Sequence, residues 1–162
     1  FVAHQADTVE PLRELLGFDE ASECWQAAYL GDTPLSVGDF EIKKLDMSYA
    51  PVAAEIYSSS DYLEYMQRQI REGVLLGAFV DGELAGFTGR HVQGALGMLE
   101  VLPEYRRRGI AAALESAAIN RELNEGHVPY GQIVIGNNAS CAVQEKLGMS
   151  FADKNVWWLE ND

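Results

Sequence analysis

Arg106-Arg107-Arg108-Gly109-Ile110-Ala111 sets three consecutive cations beside two small residues, a combination suited to holding a phosphate. The stretch follows an apolar run, Met98 to Leu102, and a Pro103-Glu104-Tyr105 turn, and it opens a helical pattern reaching Glu125. Where a strand turns tightly into a helix, unpaired backbone N–H groups gather at one point. The helix dipole and nearby arginines then add positive potential there. Gly109 and Ala111 are small enough to let a pyrophosphate touch the backbone. The chain holds only 12 Lys and Arg residues, so three in succession exceed what ordinary surface explains.

Proton-handling residues come next. Glu100 interrupts the apolar run of Met98, Leu99, Val101 and Leu102, so its carboxylate either meets solvent or faces a cleft. An amine substrate arrives mostly protonated, with a pKa near ~10, and a carboxylate can take its proton directly or through water. A solvated or arginine-paired Glu100 reads equally well. Glu104 sits in the turn and reads as solvated. His91 is another candidate base, although a lone histidine is more often structural or exposed. Asn137, Asn138 and Ser140 suit ligand contacts and helix capping alike. Cys24 and Cys141 lie far apart without zinc or redox spacing, and Cys141 has no His-Asp support for a nucleophile's role.

Two blocks together resemble one family. Val101-x-Pro103-x-x-Arg106-x-x-Gly109-x-Ala111 is similar to the acyl-CoA pyrophosphate loop of the GNAT acetyltransferase superfamily, Gln/Arg-x-x-Gly-x-Gly/Ala. Asn137-Asn138-Ala139-Ser140 followed by Glu145-Lys146-Leu147-Gly148-Met149 resembles its Asn-x-x-Ser/Ala segment and the helix ending in a Glu-Lys-Leu-Gly-Phe turn, with Met149 in place of Phe. The resemblance covers residues 38–160. It implies an α+β GNAT fold, a central mixed, mostly antiparallel twisted sheet of six to seven strands flanked by helices. It implies acetyl-CoA or another acyl-CoA as co-substrate, with no metal. By the same resemblance Arg106, Arg107, Arg108, Gly109, Ile110 and Ala111 bind the pyrophosphate. Pantetheine lies beside the 97–102 strand, in the gap where that strand splays from the one at 130–136. Backbone groups near Leu99 and Val101 hold the cofactor amides, and a backbone N–H there, assigned to Val101, holds the thioester oxygen. Asn137, Asn138 and Ser140 contact the pantetheine arm.

The chain departs from the family at Gln144, where many members carry a Tyr that protonates the leaving thiolate. An amide has no proton to give at neutral pH. Either the thiolate leaves unaided, its pKa being near ~8.5, or Tyr130, Ser140 or Cys141 supplies the proton. Pro129-Tyr130-Gly131-Gln132, with the segment through Gly148, resembles the branch related to the glycine N-acyltransferases. The implied reaction is direct attack of a primary amine, on a small molecule or amino acid, upon the thioester. The alternative is a non-catalytic acyl-CoA-binding regulatory module. A nucleotide-phosphate enzyme is disfavoured, since the loop lacks a Gly-Lys-Ser/Thr ending.

The elements that must position these residues are legible as patterns. Residues 1–31 read as helical, with Val9, Leu12, Leu15 and Leu16 in one stripe and Trp25, Ala28 and Leu30 beyond it. Residues 1–37 are thus expected to form a helical N-terminal extension or a remnant of an upstream segment, and 38–162 the acyltransferase domain. Strands are expected at 40–45, 74–80, 83–90, 97–102, 130–136 and 155–160. Helices are expected at 48–57, 61–72, 108–125 and 139–147. Asp61 and Glu64 stand at capping-box spacing, and Asp81-Gly82 marks a hairpin. Antiparallel strands followed by alternating helices and strands describe an α+β layer fold.

A length of 162 residues allows a proper core. The net charge of −13 argues against nucleic-acid binding and fits a cationic acceptor. No run approaches the ~20 apolar residues of a membrane helix. No signal peptide is visible and the thiols suit a reducing compartment, so a cytoplasmic location is expected, with no membrane partner and a homodimer allowed. The chain begins at Phe1 and not Met, so residues upstream are allowed for.

Overall fold

The computed structural model describes residues 1–57 and 62–161. In chain order the elements are β1 (Val2–Ala3), α1 (Ala6–Leu16), β2 (Glu20–Ala28), β3 (Glu41–Lys44), a 3-10 turn (Met47–Tyr49) entering α2 (Ala50–Tyr57), and α3 (Leu63–Arg71). Next come β4 (Leu76–Val80), β5 (Glu83–Arg90), β6 (Leu96–Val101), a second 3-10 turn (Pro103–Tyr105), α4 (Ile110–Asn124), β7 (Tyr130–Val134), α5 (Asn138–Lys146), β8 (Ser150–Phe151) and β9 (Val156–Glu160). The chain divides into two compact units, Phe1–Leu30 with Tyr130–Asp162, and Gly31–Pro129. Among the described residues no helix is long and apolar enough to cross a membrane.

In the first unit β2 pairs antiparallel with β9 along Glu20–Cys24 and with β7 along Cys24–Ala28; β1 adds to β9 and β8 to β2. Ala3, Val9 and Leu159 form its buried core, with Leu12, Phe18, Ala21 and Trp157 packed around them. The helical reading of residues 1–31 therefore holds for α1 and fails for β2. Gly17, at φ 71°, closes α1, because glycine enters the left-handed region without steric cost. Beyond it, β2 is claimed by three strands from the far end of the chain. Pairing over nine residues outweighs the helix-like spacing of Trp25 and Ala28.

The second unit is an antiparallel sheet in the order β6-β5-β4-β3. Asp81 and Gly82 sit at φ 52° and 85°, both positive as a type I′ turn requires. Alternation along the strands sends side chains to two cores. Phe79, Phe87 and Met98 pack with Leu45, Leu75, Ala50, Ala53 and Ala54 of α2 and Met66 and Ile70 of α3. Ala78 and Ala85 pack with Ile110 and Leu114 of α4, joined by Phe40, Ile42, Leu99 and Val101. Asn120 of α4 pins the segment before β3, accepting from Leu35 N–H at 2.7 Å and donating to its carbonyl at 2.8 Å. Asp61, the expected helix cap, lies outside the described residues, and α3 begins at Leu63 after Tyr62.

Among the described residues the chain thus carries nine strands and five helices, where the pattern predicts six to seven strands. β1 and β8 are two residues long, too short to leave a periodic signal, and β2 is the strand concealed as a helix.

Candidate functional site

The loop joining β6 to α4 is built by backbone geometry. Leu102 N–H donates to the Ala85 carbonyl at 3.0 Å as β6 ends, and Tyr105 N–H to the Leu102 carbonyl at 2.9 Å closes the 3-10 turn. The chain then passes through Arg106 in extended conformation, Arg107 at φ 61° and Gly109 at φ 89° before α4 starts. Left-handed residues alternating with ordinary ones turn successive N–H groups inward, the arrangement of an anion-binding nest. The first bond of α4 runs from Ala113 N–H to the Gly109 carbonyl at 3.1 Å, so the N–H groups of Ile110, Ala111 and Ala112 point out of the helix end. Gly109 is the N-cap and has no side chain to satisfy them. A Cβ at Gly109 would meet only the Phe40 ring, at 3.9 Å, so the space above it is open.

The arginines divide their work. Arg106 Nε donates to the Val101 carbonyl at 2.9 Å, and an Arg108 amino nitrogen to the Glu104 carbonyl at 3.0 Å, its guanidinium 5.4 Å from the Tyr105 ring centre. Both brace the loop while their charge stays beside it. Arg107 holds the strained left-handed position.

β6 itself is irregular. Gly86 pairs with Val101 and Phe87 with Glu100, then the register shifts before Gly89 meets Gly97. Met98, at φ 54°, takes up the difference as a bulge. Leu99 and Val101 point to the α4 core, as their spacing predicts. Met98 lies on the opposite face, in the core with α2 and α3, and Glu100 is paired with Phe87 of that core. Burial pushes the Glu100 carboxyl above its ordinary pKa, and Arg106 partly offsets this.

His91 follows β5 in a tight loop closed by its own N–H to the Ala95 carbonyl at 2.8 Å. Its Nδ1 lies 3.0 Å from the Tyr65 hydroxyl of α3. Its Nε2 would be 2.5 Å from a Cβ on Gly97, so only glycine lets the ring sit against β6. Burial lowers the imidazole pKa. Neither Tyr65 nor the Met98 bulge is anticipated by the motif reading; the glycines at 89 and 97, paired across β5 and β6, are the one sequence feature that could have marked close packing there.

In the first unit Asn137 caps α5, its Oδ1 accepting from Ser140 N–H at 3.1 Å, so the capping alternative is realised. Asn138 begins that helix, exposed, and Gln144 is buried within it. Cys141 is pushed above the ordinary thiol pKa by burial and Glu145, and Cys24 to about 11 by burial, Glu160 and Glu23. Both stay protonated at neutral pH. Burial also raises Tyr130. A cavity of about 410 Å³, bordered by His4, Asp7, Glu23, Asp153, Lys154 and Trp157, holds none of the residues singled out above. In the second unit Glu122, Glu125 and His127 come within metal-ligand distance of one another. Arg90 already bonds both carboxylates, at 2.9 and 3.2 Å.

The fold has solved counterparts. A Drosophila protein superposes with a TM-score of 0.75 at 24% identity, covering 93% of this chain and 55% of that one. A GNAT-family acetyltransferase from Colwellia psychrerythraea gives 0.68 at 16% identity over 99% of this chain and 64% of its own. The protein yncA of Salmonella typhimurium, solved with its cofactor acetyl-CoA, gives 0.59 at 15% identity, over 77% and 96% of the two chains. This chain spans between half and two thirds of the length of the first two. No curated protein matches the sequence significantly. The likenesses show the GNAT fold. Residues 74–158, which include the β6 bulge, the arginine loop, α4 and α5, match the family model of the FR47-like proteins. By that match over more than half its length, the chain belongs to the FR47-like family.

Proposed function

We propose that the chain is an acyl-CoA-dependent N-acyltransferase domain that moves an acetyl or other small acyl group to a primary amine on a small molecule or amino acid. The observation that carries this reading is the loop, where Arg107 and Gly109 in left-handed conformation and the uncapped start of α4 aim backbone donors at one point. A pyrophosphate there meets N–H groups, a helix dipole and three arginines together. Arg106, Arg107, Arg108, Gly109, Ile110 and Ala111 hold it. Leu99 and Val101 lend backbone groups to the pantetheine and acyl carbonyl, and one N–H aimed at the oxyanion contributes roughly 3 kcal/mol. Asn137, Asn138 and Ser140 are assigned to the pantetheine arm by resemblance. Glu100, its carboxyl pushed up by burial, takes a proton from the incoming amine. Protonated thiols at Cys24 and Cys141 support direct attack over a covalent intermediate.

The resemblance to the glycine N-acyltransferase branch supports an amino acid or similar small amine as acceptor. The chemistry needs no metal, and the charge of −13 disfavours a nucleic-acid partner. A cytoplasmic, membrane-free setting and a homodimer complete the reading. Gln144 favours a second one, a regulatory module that binds acyl-CoA without turnover, since that side chain cannot protonate a thiolate.

Calorimetric titration with acetyl-CoA, beside Gly109→Glu, tests the shared cofactor site. Micromolar binding lost in the variant supports it, and absent heat and thermal shift for the unaltered chain, with longer acyl-CoAs as well, refute it. Thiol release on adding amines then separates the two readings.

A further inference from the structure

Acylation of an amine that arrives as an ammonium removes two protons from nitrogen. The first leaves before attack, and the second leaves the tetrahedral adduct as the amide forms. One ends on the departing CoA thiol and one passes to solvent, so R–NH3⁺ and the thioester give amide, CoA thiol and H⁺. Glu100 accounts for one acceptor. A second ionisable group faces the same side of β6. His91 is seated on Gly97, three residues before Glu100 and directly opposite Gly89, whose own Cβ would strike Met98 and Leu75 on that face. The Tyr65 hydroxyl at Nδ1 fixes the ring's orientation.

We propose that His91, oriented by Tyr65 and seated on Gly97, is the second proton acceptor: it takes the proton of the tetrahedral adduct's nitrogen and returns it to the thiolate. This rests on the acyltransferase reading. It fills the role that Gln144 cannot. Tyr65 of α3 is hydrogen-bonded to the imidazole. The charged groups on the neighbouring elements are the Arg68–Glu72 pair at the end of α3, at 3.0 Å, Arg90 of β5, held by Glu122 and by Glu125 at the end of α4, and Glu100 of β6. None of them shifts the imidazole. Burial alone accounts for the lowered pKa of His91, so the imidazole is neutral near pH 7.

The test measures thiol release from acetyl-CoA with glycine, phenethylamine and spermidine across pH 5–9, for the unaltered chain, His91→Gln, Tyr65→Phe and Gly97→Ala. His91→Gln is expected to lower turnover about 100-fold, within the usual range for a lost acid–base group. It also removes one proton from the steepness of the acid limb and leaves calorimetric acetyl-CoA affinity unchanged. Gly97→Ala keeps every ionisable group but drives the ring off β6, so it should reproduce that loss. Tyr65→Phe, a positioning change that removes one hydrogen bond, should lower turnover up to about tenfold and keep the limb. His91→Gln and Gly97→Ala within about twofold of the unaltered chain, with the same limb, would overturn the proposal alone. No thiol release by the unaltered chain with any of the three amines, despite acetyl-CoA binding, would overturn the acyltransferase reading and this proposal with it.

Discussion

Gly109→Ala separates the loop's backbone from its charges. At φ 89° an L side chain presses Cβ toward its neighbouring carbonyl, costing about 1–2 kcal/mol. Nothing else opposes the methyl, since the Phe40 ring at 3.9 Å is an ordinary contact. The variant therefore folds and relieves strain by rotating its peptide, which re-aims the N–H groups of the first turn of α4. Gly126, just beyond that helix, provides the control: its φ is 78° and a Cβ there meets nothing within 4 Å. Gly126→Ala carries the same backbone penalty away from the loop. Both should lower Tm by a few degrees, at roughly 2–4 °C per kcal/mol. Acetyl-CoA separates them. A charge-assisted hydrogen bond contributes about 1.5–3 kcal/mol, so one lost N–H contact weakens binding roughly 10- to 100-fold. Calorimetry should show that loss for Gly109→Ala and wild-type affinity for Gly126→Ala. Equal affinities in the two variants would refute the argument that this backbone grips the pyrophosphate.

Two further predictions concern one half-buried and one buried carboxylate. The Glu100 pKa is raised by burial, so its contribution to stability is greatest below the unfolded pKa and is lost as pH rises through the folded one. Glu100→Gln should therefore melt above the unaltered chain at pH 7, with the gap closing below about pH 4.5, while thiol release drops about 100-fold; unchanged melting at both pH values contradicts the burial argument. Glu122 behaves oppositely. Burial would raise its pKa, but His127, Arg90 and Arg121 together hold it below the ordinary value, so its stabilisation is present above the unfolded pKa and lost as pH falls through the folded one. Glu122→Gln should cost about 2 kcal/mol in urea unfolding at pH 7, less than the ~3–5 of a fully buried pair because Arg90 stays partly in water. The difference should shrink at pH 3.5, and a pH-independent difference would count against the ion-pair account.

What could be read from the sequence was what local chemistry dictates. Asp81-Gly82 makes its turn because both residues tolerate positive φ. The arginine loop is legible because Gly109 is required by φ and α4 starts where the apolar period does. β2 was not legible. Its partner residues lie more than 100 positions away, Glu20 facing Glu160 and Ala28 facing Tyr130, and a single strand carries no mark of a partner so distant. Asn137 exposes a different limit. The same side chain serves equally as a cap or as a ligand contact, and only geometry showed its Oδ1 on Ser140 N–H. Met98 in left-handed conformation carries no signal of its own, because the opposing register imposes it.

The two faces of β6 explain why one half of the candidate chemistry reads as a motif and the other does not. Leu99 and Val101 lock the strand onto α4 through Ile110, so the helix start, the loop and the strand end form one rigid piece. On the proposed function, a cofactor moiety common to every acyl-CoA selects a fixed arrangement, and it leaves fixed residues. Met98, Glu100 and the Tyr65–His91 pair look the other way, toward α2 and α3. Side chains alternate with period two, so that face can change without disturbing Leu99 or Val101, and the Met98 bulge absorbs the offset between the registers on either side. On the same proposal, acceptor chemistry can vary while the loop stays constant. No spacing rule then survives for the acceptor, and the residues that bind it have to be found by which side chains the fold brings onto that face.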